Sequence, residues 1–359
     1  MAQSFAVAPR PEIRVMEGYH SPQVDVAVRL NTNESPFPPP AAWQQRLSEA
    51  VQLIEFHRYP DRAATKLRGA IARLHDVAPD QVFVANGSNE VLQTLCLTFG
   101  GSGRAAVTFE PTYAMHSQIA RISGATVISG QRAADHRLTP ELVDAAIGTI
   151  DPAIVFLCSP NNPTGLLESR EVIIHTYGRT NGLIIVDEAY GQFAPWSAQE
   201  LLDDYPRIVV IRTFSKTWSM AGARLGYCIA QPWLIGELEK VVLPYHLDAM
   251  KQLAGELALQ YEPEMRERVN LLVAERARLQ DGLARLNVEY WPSHANFVLF
   301  RPRMLDPDAV WQGLVDRSVL VRNCSSWPGL SGCLRVTVGT PAEDRVFLAA
   351  LEDIVGSAS

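Results

Sequence analysis

The sequence predicts an α/β protein, with a mostly parallel sheet flanked by helices and a smaller α+β unit behind it. Three observations carry that expectation. Short, near-continuous apolar runs recur through the first two thirds of the chain, as strands buried on both faces require. The stretches between them are long enough for crossover helices. After Pro244 the pattern changes to one long charged helix and alternating strands. A chain of 359 residues also exceeds what one hydrophobic core comfortably serves, so two domains are expected.

Residues 1–40 carry six prolines before Pro40 and no helical period, and read as an extended arm. Its end, Pro36-Phe37-Pro38-Pro39-Pro40, is stiff and polyproline-like and leads into a helix. Residues 41–244 are the expected larger domain, with strands at 82–85, 105–109, 154–157, 183–186 and 208–211. Gly87-Ser88-Asn89-Glu90 follows the first of these and opens a helix. Residues 245–359 are the expected smaller domain. It should hold a helix from about 264 to 286, strands at 296–300, 319–321 and 334–338, and a closing helix from about 341 to 354.

Net charge is −7 and no long basic run exists, so neither nucleic acid nor an anionic membrane is expected as a partner. Five cysteines, odd in number and scattered without metal-ligand spacing, read as reduced thiols of a cytoplasmic protein with no metal site. The first ten residues lack the apolar core of a signal peptide, and no apolar run approaches the roughly 20 residues that span a bilayer.

The chemistry concentrates in three ordered motifs. Ser159-Pro160-Asn161-Asn162-Pro163-Thr164-Gly165 comes first, then Asp187-Glu188-Ala189-Tyr190, then Arg212-Thr213-Phe214-Ser215-Lys216 continuing to Arg224. Together they offer an amine able to form a Schiff base, a carboxylate able to hold a protonated ring nitrogen, and amide and hydroxyl groups for a phenolic oxygen. These are the demands of pyridoxal phosphate, whose ring is the electron sink while the protein binds and orients it. The motifs fall outside the carboxyl ends of expected strands, where α/β sheets place ligands. Phosphate donors are expected from the N–H groups of Gly87, Ser88 and Asn89, with Thr213, Ser215 and Arg224. Plainer readings exist for each: a solvated Lys216, a turn aspartate at Asp187, core packing for Tyr190, a turn role for Asn162 and an N-cap for Ser88.

Order and spacing resemble the fold-type-I aminotransferases and, within them, the histidinol-phosphate aminotransferases. The blocks that carry the resemblance run from about residue 19 to 353. They include Leu30-Asn31-Thr32-Asn33-Glu34-Ser35-Pro36, His57-Arg58-Tyr59-Pro60-Asp61, Pro111-Thr112-Tyr113, Leu243-Pro244-Tyr245-His246-Leu247 and Gly332-Cys333-Leu334-Arg335-Val336-Thr337. The resemblance implies that Lys216 carries pyridoxal phosphate and shuttles a proton, that Asp187 faces the ring nitrogen, and that Asn162 and Tyr190 face the phenolic oxygen. It implies that Tyr113 stacks on the ring and that Tyr59 reaches the phosphate of a second subunit, hence a homodimer with shared sites. It places Tyr19, Asn89, Asn162, Tyr245, Arg322 and Arg335 around substrate, with Arg335 as the anion anchor. The implied substrates are L-glutamate and imidazole acetol phosphate, in histidine biosynthesis. An aromatic or broad-specificity aminotransferase, a phosphothreonine decarboxylase and a catalytically idle regulator are the alternatives. Two departures stand out: Ser35 replaces an asparagine, and Asp248-Ala249-Met250-Lys251 replaces a small, hydroxyl-rich run.

Overall fold

The computed structural model describes residues 7–14, 16, 18 and 23–356. From the amino end the elements are α1 (Pro11–Arg14), β1 (Val28–Leu30), α2 (Ala41–Val51), α3 (Thr65–His75), β2 (Val82–Ala85), α4 (Ser88–Phe99), β3 (Ala105–Glu110), α5 (Met115–Ile122) and β4 (Thr126–Gln131). There follow α6 (Pro140–Ile147), β5 (Ile154–Cys158), α7 (Arg170–Gly178), β6 (Leu183–Asp187), β7 (Ile208–Thr213), β8 (Gly226–Ile229), α8 (Pro232–Val241) and α9 (Ala249–Ala258). The remainder is α10 (Glu262–Ala284), β9 (Val288–Tyr290), β10 (Phe297–Pro302), α11 (Pro307–Asp316), β11 (Val319–Asn323), β12 (Leu334–Thr337) and α12 (Pro341–Gly356).

Two sheets organise the chain. The larger has the order β2-β8-β7-β6-β5-β3-β4, and only β8 runs against the others. Every residue of β5, β6 and β7 is buried, which is why these central strands read as uninterrupted apolar runs. Two of its strands lacked that signal. β4 is a half-exposed edge strand, and β8 has only four residues beginning with Gly226.

Gly226 sets how closely β8 approaches the start of α4. A Cβ there would lie 2.3 Å from the Ser88 backbone nitrogen, so only glycine lets the strand touch the turn that opens the helix.

The smaller sheet has the order β1-β11-β12-β10-β9. Two segments cross the boundaries expected at residues 40 and 244. In the arm, β1 pairs in parallel with β11, Val28 opposite Val319 and Leu30 opposite Val321. It buries Val28 and Leu30 while Arg29 faces out, so the arm is sewn into the smaller sheet. In the other direction, α9 returns to the helices beside the larger sheet. Trp43 Nε1 of α2 donates to the Ala254 carbonyl at 3.1 Å, and a Cβ at Gly255 would meet Leu225 at 2.4 Å and Leu67 at 2.9 Å. Beyond α9, α10 buries Met265, Val269, Leu272, Leu279 and Leu283, a three-four spacing that keeps one stripe inward on an otherwise charged helix.

Candidate active site

A cavity of about 380 Å³ lies outside the carboxyl ends of β5, β6 and β7. The segment after β1 and the strands β11 and β12 close its other side. It brings together Ser88, Asn89, Tyr113, Asn162, Asp187, Tyr190, Thr213, Ser215, Lys216, Arg224, Arg322 and Arg335. Gly87 borders it as the N-cap of α4 with φ of 83°. Tyr59 and Tyr245 do not line it. They stack on each other, centroids 4.4 Å apart, on the outer surface. Tyr19 lies outside the described residues.

Lys216 enters three residues beyond β7, and its Nζ donates to the Thr32 carbonyl of the arm at 3.1 Å. Burial, helped by the positive charges of Arg335 and Arg224, pulls its pKa down to about 7. A buried ammonium loses hydration and is repelled by neighbouring guanidinium groups, so the neutral amine gains.

Asp187 ends β6 and is 2% exposed. Its Oδ1 accepts from the Ala189 N–H at 3.1 Å and its Oδ2 lies 2.9 Å from His116 Nε2. The His116 ring stacks on Phe156 at 4.9 Å, which fixes the imidazole plane and hence the carboxylate it holds. Sequence reasoning missed His116 as a functional residue. Its position three residues after Tyr113, in the first turn of α5, was the available signal, but a lone histidine on a buried helix face is ordinary.

Tyr190 is held by the arm. Its hydroxyl accepts from Asn33 Nδ2 at 2.9 Å, and Asn33 is itself fixed by the Thr337 hydroxyl of β12 through its backbone N–H at 3.0 Å and its Oδ1 at 3.2 Å. Burial raises the Tyr190 pKa well above the usual phenol range, keeping the hydroxyl protonated. Asn161 welds two motifs together: its Nδ2 donates to the Pro111 carbonyl and its Oδ1 accepts from the Thr112 hydroxyl. The Tyr113 hydroxyl then reaches Asn89 Oδ1 at 3.2 Å.

At the other end of the cavity, Arg224 lies within 3.4 Å of Ser215 Oγ, and Thr213 Oγ1 donates to Ser215 Oγ at 3.0 Å. A Cβ on Gly87 would come within 3.0 Å of Arg224 Nη2, so the missing side chain leaves the guanidinium beside the first turn of α4. The first N–H groups of a helix have no partner within it and carry partial positive charge. Guanidinium, hydroxyls and helix terminus therefore converge as an anion cradle.

Arg335 and Arg322 face each other across β12 and β11. The Arg335 guanidinium lies 5.1 Å from the ring of Phe297 and 6.0 Å from that of Trp327. One Nη donates to Asn162 Oδ1 and the other to the Asn31 carbonyl. Its Nε is buried with no hydrogen-bond partner. Trp327, which also lies 5.4 Å from the Arg322 guanidinium, is a second cavity residue that sequence reasoning missed. The departure at Ser35 serves the backbone: its hydroxyl bonds within the turn to Phe37 and accepts from Ser219 at 2.9 Å.

A mostly parallel seven-stranded sheet with a part-buried lysine, a buried carboxylate and an anion cradle at its strand ends defines a fold-type-I transferase. The family model for aminotransferase class I and II matches residues 25–351. The chain is 44% identical to a histidinol-phosphate aminotransferase of Frankia casuarinae, covering 95% of this chain and 89% of that one. It is 43% identical to a histidinol-phosphate aminotransferase of Corynebacterium diphtheriae, covering 96% of each. Among solved structures, histidinol-phosphate aminotransferase from Sinorhizobium meliloti in complex with pyridoxal-5'-phosphate superimposes with a TM-score of 0.88 at 24% identity, covering 99% of both chains. The chain belongs to the class I and II aminotransferases and, within them, to the histidinol-phosphate aminotransferase family.

The depressed Lys216 pKa is measurable in cofactor-free protein. Its reaction with an amine-directed reagent should gain rate with pH around a midpoint near 7, because only the neutral amine attacks. Arg335→Met removes a repelling charge and should move that midpoint upward. A wild-type midpoint near the ordinary lysine value of about 10.4 would contradict the burial argument.

Proposed function

We propose that the protein transfers an amino group between L-glutamate and imidazole acetol phosphate, forming L-histidinol phosphate and 2-oxoglutarate in histidine biosynthesis. The observation that carries this reading is the arginine pair opposite Lys216, one member of which keeps a buried, unpartnered Nε. Both substrates bring an anion, a carboxylate in one half-reaction and a phosphate in the other, and one pocket serves both.

The residues fit pyridoxal phosphate. When bound, that group delocalises the electron pair left by loss of the α-proton. Lys216 would hold it through its amine, and its free amine would move the α-proton as general base and acid. A pKa near 7 suits an amine that must both accept and release a proton at neutral pH. Asp187, braced by His116, holds the ring nitrogen protonated. Asn162 and the protonated Tyr190 would serve the phenolic oxygen, and Tyr113 would cover the ring. Gly87, Ser88, Asn89, Thr213, Ser215 and Arg224 hold the phosphate. Arg335 anchors the substrate anion, with Arg322, Asn89 and Asn162 around it.

The functional unit is a homodimer with shared sites. Tyr59 is 79% exposed, and Phe56 and Leu53 on the same stretch are 67% and 83% exposed. Large apolar groups clustered on one surface mark a partner site, and in a dimer Tyr59 of one copy reaches the phosphate of the other. The cytoplasm is the proposed compartment, because all five cysteines are free and buried. Among the described residues no helix is long and apolar enough to cross a membrane.

Substrate preference and subunit mixing test this reading. The wild type should use histidinol phosphate over phenylalanine by orders of magnitude in kcat/KM, since a neutral side chain leaves buried charge unpaired. Arg322→Ala should lower kcat/KM for histidinol phosphate by roughly 30-fold or more, from about 2–5 kcal/mol for a truncated buried charge pair, and affect phenylalanine far less. Arg335→Ala should damage both. Equal specificity constants in the wild type would move the reading to a broad aromatic aminotransferase. Separately, mixing inactive Lys216→Ala chains with inactive Tyr59→Ala chains should restore part of the activity, because a mixed dimer holds one intact site. No recovery after verified subunit exchange would place Tyr59 outside the shared site.

A further inference from the structure

None of Asp248, Ala249, Met250 and Lys251 lines the cavity, yet Lys251 reaches the turn that opens α4. Asp248 caps α9 by accepting the Lys251 N–H on its Oδ1 at 2.8 Å. The Lys251 side chain turns back along the helix, so that its Nζ lies 3.0 Å from Asp248 Oδ2 and donates to Asn86 Oδ1 at 2.7 Å. Asn86 is the residue before Gly87. Its donors are also committed. The backbone N–H and Nδ2 both donate to Glu90 Oε2, and Nδ2 also donates to the His246 carbonyl at 2.9 Å.

This geometry makes α9 a brace. The helix itself is anchored, through Trp43 and the close packing of Gly255 on Leu225 and Leu67. On its other face the cradle turn rests against Gly226 of β8. Gly87 sits at φ of 83°, which glycine adopts without a Cβ to constrain it, so the turn relies on its neighbours for position. Lys251 ties Asn86 Oδ1 to α9, and Asp248 at 3.0 Å offsets much of its charge. Its contribution is therefore mainly one of geometry.

We propose that Lys251 is a positioning residue for the anion-binding turn, residues 86–89, and sets the direction of the N–H groups that receive the cofactor's phosphate. The proposal rests on the phosphate of pyridoxal phosphate occupying that turn. It assigns a function to the run that departs from the hydroxyl-rich pattern of the family.

The test compares two ligands on cofactor-free protein: pyridoxal phosphate, and pyridoxal, which lacks the phosphate. Lys251→Met should raise the dissociation constant for pyridoxal phosphate about tenfold, the scale of one hydrogen bond to a charged group, while changing that for pyridoxal less than about twofold. Lys251→Arg, which keeps a charged donor, should stay close to the wild type. Should Lys251→Met not fold, Lys251→Gln, with a neutral donor on a shorter arm, reads the same ratio. Equal losses for the two ligands would reduce Lys251 to a general structural role and overturn the proposal. An unchanged pyridoxal phosphate affinity in folded variant protein would overturn it as well. A wild type that binds both ligands equally would instead count against the phosphate's place in the turn, which the unmodified protein reveals on its own.

Discussion

Positive charge gathered around a buried amine is the constraint on which the rest of the site depends. Lys216 and Arg335 share one cavity with the more exposed Arg224, and charges taken out of water cost several kcal/mol each unless they are paired or hydrogen-bonded. The protein meets that cost in two ways. Lys216 gives up its proton near pH 7. Arg335 lies near two aromatic rings and donates to Asn162 and the Asn31 carbonyl. What stays unmatched is the Arg335 Nε and the helix terminus at Ser88, and both are places for an anion. A cavity with this charge distribution is preorganised for anionic ligands, and such preorganisation is where catalytic sites find much of their rate.

The arm makes that arrangement possible. Asn33 joins three parts of the molecule: it bonds Thr337 in the smaller sheet and Tyr190 beside the larger one, and its carbonyl accepts from Asn296 Nδ2 at 3.1 Å. One residue earlier, the Thr32 carbonyl receives Lys216. The arm is fixed in turn by β1, which is a strand of the smaller sheet. Movement of the smaller sheet relative to the larger would therefore be felt at both the lysine and the tyrosine. This is the physical link between fold and chemistry.

Much of this was legible in the sequence, and the reasons are physical. The central strands announce themselves because burial on both faces leaves no room for polar residues, and Asp187 and Lys216 stand at or just beyond their ends. β4, β8 and β1 were silent, because an exposed edge, a four-residue strand and a three-residue strand carry too few positions for a pattern. The anion cradle was readable from Gly87-Ser88 after a strand, whereas its braces were not. Gly226, His116 and Lys251 act through contacts across 71 to 165 residues, and nothing local in the chain records such contacts. Trp327 was hidden for a similar reason, since only the pairing of β11 with β12 turns its loop over the two arginines.

The central claim is that the buried amine is the reacting group, and the chain makes it directly testable because it has only four lysines, Lys66, Lys216, Lys240 and Lys251. Reduction of the pyridoxal phosphate-loaded protein with borohydride, followed by peptide mapping by mass spectrometry, reports which one carries the cofactor. Stoichiometric label on the peptide containing Lys216, and on no other, is the predicted result. Label on Lys66, Lys240 or Lys251, with Lys216 unmodified, would contradict it.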